Sequence, residues 1–194
     1  MTSRDSRDER ELQLKVSLVG GKPPIWRRVV VGEAMTLAEL HQVIQIAMGW
    51  LDYHLYEFEI KGNRYTTIDP DTPDSAIASD SVTLRDLRLR RPGTKFRYDY
   101  DFGDGWRHVV EVEKVNPIDH ASSCPRCLGG RRACPPEDSG GLYGYGRMLH
   151  IVNNPRHPEH AELQGWLPPG FDPAHFDLQE VNSRLSAHHQ DRSG

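Results

Sequence analysis

No apolar run in this sequence approaches the roughly 20 residues that a membrane-spanning helix needs. Its first residues, MTSRDSRDERE, have no apolar core and carry both charge signs. They fit neither a secretory signal nor an acid-poor transit peptide, so the expectation is a cytoplasmic protein with no membrane partner. Cysteine is scarce: Cys124, Cys127 and Cys134 are the three in the chain. An odd count confined to one short stretch makes a poor disulfide framework. An excess of basic charge is missing as well. The net charge is −4, so no broad positive field announces nucleic acid. No internal repeat is evident.

What is present is enough for one core. The 194 residues are 37% hydrophobic and include four Trp, seven Tyr and five Phe, which argues against global disorder. Leu12, Leu14, Val16 and Leu18 alternate with polar residues, as a half-buried strand does. Gly20-Gly21-Lys22-Pro23-Pro24 breaks it before a second strand, I-W-R-R-V-V-V, at 25 to 31. Thr36 and Glu39 have capping-box spacing. Leu37, Leu40, Ile44, Ala47 and Met48 then follow at helical spacing up to Gly49, which predicts a helix over 37–48.

Further strands are expected at 54–60 and 64–68, then an acidic loop at 69–80. A hairpin spans 95–115, with Gly103-Asp104-Gly105 at its turn. Alternation there puts Phe96, Tyr98, Tyr100 and Phe102 on one face and Arg97, Asp99 and Asp101 on the other. Residues 117–147, with the cysteines and six glycines, read as a long irregular segment. Helices are predicted within 145–153, 158–167 and from 177 onward. The layout is α+β: an antiparallel sheet with a ubiquitin-like strand-strand-helix-strand start, covered by helices, its C-terminal part helical. Residues 1–10 are expected to be a flexible tail and 11–188 a single domain. Its sheet-rich part is 11–116, and the Cys/Gly loop and helices occupy 117–188.

Four groups of residues are candidates for chemistry. Asp99, Asp101, Asp104 and His108, joined by His54, could hold a divalent cation or do acid–base work. The alternative is structural: Asp104 shapes the turn, Trp106 packs, and the rest pair with Arg97 or Arg107. Cys124 and Cys127 form a zinc half-site of Cys-x2-Cys spacing, with Cys134 as a third ligand and His120, Asp138 or a distant His as a fourth. Reduced thiols in a packed loop are the alternative. His157 and His160 could share a metal at a helix start, or be exposed, with His157 a cap before Pro158. Arg88, Arg90 and Arg91, with Trp26, Arg27 and Arg28, could contact phosphates. Strand geometry puts Arg27 and Arg28 on opposite faces, so at most one joins such a patch, and pairing with carboxylates is the simpler reading.

Several motifs form a series: P-P-I-W-R-R-V at 23–29, H-L-Y-E-F at 54–58, Y-D-Y-D-F-G-D-G-W-R-H at 98–108, A-C-P-P-E-D at 133–138, G-G-x-x-G-Y at 140–145, H-P-E-H at 157–160 and F-D-P-x-x-F-D at 171–177. In combination they resemble the plasmid pRiA4b ORF-3-like family over about residues 12–186. Some members of that family are labelled TnpR. The resemblance implies an accessory or binding protein associated with plasmid or transposon DNA, with nucleic acid or protein as partner. A metal-dependent hydrolase or nuclease using the hairpin cluster is the alternative. The TnpR label implies a resolvase, but Ser3, Ser6 and Ser17 lie in a charged tail or an alternating strand, without the arginine setting a serine recombinase needs.

Overall fold

The computed structural model describes residues 9–119 and 125–191. The tail expected at 1–10 falls outside these up to residue 8, and Arg10 already lies in a strand. Strands β1 (Arg10–Leu18) and β2 (Trp26–Gly32) come first, then helix α1 (Leu37–Met48). Strands β3 (Tyr56–Ile60), β4 (Asn63–Thr66), β5 (Ile77–Ala78), β6 (Lys95–Tyr100), β7 (Trp106–Pro117) and β8 (Arg126–Arg131) follow. Helices α2 (Gly141–Val152), α3 (His160–Trp166) and α4 (Leu178–Asp191) complete an α+β fold.

All eight strands form one open sheet in the order β5-β4-β3-β6-β7-β1-β2-β8. Every neighbouring pair is antiparallel except β4 and β5. The predicted alternation sorts the two faces. On one, Leu14 stands between Val29 and Val112, and Tyr98 between Phe58 and His108, all buried under α1. The opposite face carries cross-strand ion pairs, among them Arg28–Glu113, Arg97–Glu59, Lys95–Glu111 and Arg64–Glu57. The simpler reading of the arginines holds for Arg28.

Helix α1 starts as its sequence predicts. The Thr36 hydroxyl accepts from Glu39 N at 3.2 Å, and Glu39 Oε2 accepts from Thr36 N at 2.8 Å. Gly49 ends the helix at φ 97°.

Two expectations fail. Residues 126–131 are a strand that pairs with β2, where an irregular segment was expected. Asn182 on α4 completes that edge: its side chain accepts from Cys127 N at 2.7 Å and donates to Cys127 O at 3.0 Å. The hairpin alternation also stops one residue early. Asp101 turns to φ 53°, so its side chain is buried while Phe102 is 57% exposed. No helix among the described residues is long and apolar enough to cross a membrane.

Candidate metal centre

Three segments far apart in sequence meet at the turn between β6 and β7. Asp101 supplies the first carboxylate. Gly105 N donates to its carbonyl at 2.6 Å, and Gly103 N and Asp104 N donate to its Oδ1 at 2.9 and 3.2 Å. That leaves Oδ2 facing His54 Nε2 across 3.6 Å. The second carboxylate, Asp138, lies on the 133–138 segment, which is tied to the end of α1. Trp50 Nε1 donates to Pro135 O at 2.9 Å and Leu51 N donates to Glu137 Oε1 at 2.9 Å. Asp138 Oδ1 lies 3.2 Å from the same His54 nitrogen.

Three observations set this cluster apart from an ordinary ion pair. His54 Nε2 is enclosed yet makes no hydrogen bond, although Asp138 Oδ1 lies 3.2 Å and Asp101 Oδ2 3.6 Å away. The three ligand atoms fall within 4.8 Å of one another. Two ligands each about 2.1 Å from a tetrahedral ion sit roughly 3.4 Å apart, so the 3.2 and 3.6 Å separations suit a shared cation. Finally, Asp101 and Asp138 both hold left-handed backbone, at φ 53° and 56°. Asp tolerates that region better than most residues, and at both positions the carboxylate lies beside His54.

Tyr100 and Glu137 flank the cluster. Tyr100 OH donates to Glu137 Oε1 at 3.0 Å, and burial, reinforced by that carboxylate, pushes the phenol well above its ordinary range. Glu137 Oε2 is buried without a hydrogen-bond partner.

The other hairpin candidates go elsewhere. His108 lies in the core beside Tyr98 and Trp50, fully buried. Its Nδ1 is 3.3 Å from Tyr98 O, and burial lowers its pKa to about 4. Asp104 Oδ2 accepts from Gly140 N at 3.0 Å, stapling the turn to the start of α2. Asp99 pairs with Arg97 on the opposite face, its pKa raised chiefly by burial. Sequence reasoning thus placed Asp101 and His54 together, named Asp138 only as a zinc ligand for the cysteines, and missed Glu137.

Cys124 and His120 lie outside the described residues. Cys127 and Cys134 are buried free thiols, both raised by burial. Cys127 sits by Gly129 O at 3.5 Å, and Cys134 by Met48 Sδ at 3.1 Å. The two share no metal-ligand cluster among the described residues. His157 does not cap α3, whose N-cap position is Glu159; its Nδ1 instead accepts from Glu159 N at 3.2 Å in the turn before the helix. Arg90 and Arg85 clamp the buried Glu33, with Arg90 Nη2 donating to Glu33 Oε1 at 3.0 Å. Arg88 and Arg91 are exposed.

Residues 10–180 match the family described as plasmid pRiA4b ORF-3-like protein. The chain belongs to that family. A relative from Sinorhizobium fredii, the uncharacterized protein y4hQ, is 36% identical over 175 residues, covering 90% of each chain. The crystal structure of MM3350 from Methanosarcina mazei Go1, titled a protein of unknown function, superposes with a TM-score of 0.80 at 37% identity. That match covers 89% of this chain and 98% of the other. Within the family's motif series, H-L-Y-E-F, Y-D-Y-D-F-G-D-G-W and A-C-P-P-E-D are the three that supply His54, Asp101 and Asp138.

Proposed function

We propose that this protein holds a divalent cation on His54, Asp101 and Asp138 and uses it in hydrolysis. One observation carries the reading: an enclosed imidazole nitrogen with no hydrogen bond, 3.2 and 3.6 Å from two carboxylates. One nitrogen and two oxygen donors suit Zn²⁺ or Mn²⁺ and leave coordination positions open. Asp138 is 72% exposed, so those positions face solvent. A cation bound there would supply a polarised water of lowered pKa. Asp101 is the buried ligand, oriented by two backbone amides, and Asp138 the exposed one. Tyr100, kept protonated, is a hydrogen-bond donor at the edge of the site.

Calorimetric titration of chelator-treated protein with Mn²⁺ and Zn²⁺ tests this. One saturable site is expected, weakened at least about tenfold by His54→Ala and by Asp101→Asn. Unchanged binding in both variants, or no binding, overturns it.

An accessory protein on plasmid or transposon DNA is the second reading. It would depend on Arg88 and Arg91, since Arg90 is engaged by Glu33. Salt-dependent retention on duplex DNA, lost in the Arg88→Ala/Arg91→Ala double variant, would support it.

A further inference from the structure

Arg27 stands where β2 alternation assigns a core residue, on the face shared with Val29 and Val31, and is 3% exposed. Its hydrogen bonds run to neutral acceptors. Nε donates to Ala47 O at 2.6 Å, Nη1 to Trp26 O and Arg131 O at 2.9 and 3.2 Å, and Nη2 to Cys134 Sγ at 3.5 Å. The Phe176 ring covers the guanidinium at 4.6 Å. Among the described residues, no carboxylate oxygen comes within 4.0 Å of it. Cys134 is no counter-ion, because burial holds it as the neutral thiol. A permanently charged guanidinium in the interior is costly unless an anion meets it.

The arrangement around this charge is close-fitting. A Cβ at Gly130 would come within 2.6 Å of the Phe176 ring and 2.9 Å of Arg27 Cδ. Arg27 also lines a cleft of about 530 Å³, walled by Ile46, Met48, Trp50, Phe171, Phe176 and Val181. That volume suits a small molecule, and the wall is mostly apolar. His175, Asp177 and Glu180 stand exposed at its border, where carboxylates oppose the entry of polyanions.

We infer that this cleft binds a small amphipathic monoanion, its carboxylate or sulfonate on Arg27 and its aromatic or aliphatic body against Trp50, Phe171 and Phe176. The buried Arg27 selects the anion, the apolar wall selects the body, and Glu137, Asp138, Asp177 and Glu180 along the cleft disfavour nucleotides. The cleft shares Asp138 with the candidate cation site but does not need the cation.

Fluorescence titration of chelator-treated wild-type protein with two probes tests the inference. Anilinonaphthalene sulfonate carries the anion, and N-phenyl-1-naphthylamine has the same aromatic body without it. The anionic probe is expected to bind one site, at least about tenfold tighter than the neutral one, and to be displaced by decanoate. Arg27→Met, where it folds, should erase the preference. The wild-type comparison decides the matter if that variant does not fold. Equal affinities, or no saturable site for the anionic probe, overturn the inference. Both measurements are made without metal, so they leave the cation reading untouched.

Discussion

His41 lies flat on Tyr56, ring centroids 3.5 Å apart and 8° from parallel, and reaches Asp52 at its far edge. His41 Nε2 and Asp52 Oδ1 are 2.7 Å apart, while His41 Nδ1 meets Tyr98 OH at 2.8 Å. Gln45 Nε2 donates to the same hydroxyl at 2.9 Å, and Asp52 N donates to Gln45 Oε1 at 3.2 Å. The ring of bonds is closed, so each buried polar group has a partner. Burial lowers the His41 pKa against the opposing pull of Asp52, which makes His41 Nε2–H the donor to a carboxylate. Asp52→Ala should cost about 2 kcal/mol by urea unfolding. Asp52→Asn, which keeps an oxygen acceptor and tolerates the left-handed backbone at φ 59°, should cost less. Equal losses would show that the carboxylate oxygen is not what matters.

Acid should weaken the fold through His108. Its pKa falls from 6.5 to about 4 because burial disfavours the imidazolium. The unfolded chain therefore binds a proton below about pH 6.5 that the folded chain refuses until about pH 4. Stability is complete above that window and declines as pH falls through it, by roughly 3 kcal/mol. His41, also lowered, acts in the same direction. Urea unfolding at pH 7.5 and pH 5 should show the loss, and His108→Leu should reduce the difference between the two. A variant with the wild-type pH slope would remove His108 as its source.

Gly144 admits no side chain. A Cβ there would lie 2.0 Å from Ser139 O, a backbone atom that cannot swing aside. Gly144→Ala should cost about 3 kcal/mol and unseat the start of α2. Gly146→Ala, where nothing lies within 4 Å of the added carbon, is the internal control and should be neutral or slightly stabilising.

Asn182 guards the sheet edge. Its amide pairs with both backbone groups of Cys127, as another strand would. Asn182→Ala should cost about 1–3 kcal/mol and speed amide exchange in β8. Exchange unchanged at Cys127 would mean that the helix, not this side chain, protects the edge.

Much of the fold was legible because its signals are local. Thr36 and Glu39 announce α1, and the apolar alternation of Leu12 to Leu18 announces β1. Strand β8 was not, since R-C-L-G-G-R has no alternating apolar face and owes its form to pairing with β2. The site was half legible. Asp101 stood out in the turn, but alternation aimed it at the wrong face, and only its left-handed backbone brings it to His54. Asp138 reaches the same point through tertiary bonds of Trp50 and Glu137, which leave no local trace. Strand alternation separated Arg27 from Arg28, but the expected pairing with carboxylates fails for Arg27, because an unpaired cation is the last residue expected in a core.

The strand order also has a consequence for synthesis. The β6–β7 hairpin lies between β1 and β3, so the two N-terminal hairpins share no edge until it is inserted. β1 is completed only by β7, a partner about a hundred residues later, as the Gln13–Glu113 contact shows. A nascent chain shorter than residue 117 therefore holds two half-sheets with open apolar edges, and the sheet closes late, in one long-range step. Stalled chains ending near residue 90 should be protease-sensitive, and those with residue 131 clear of the ribosome tunnel should be protected.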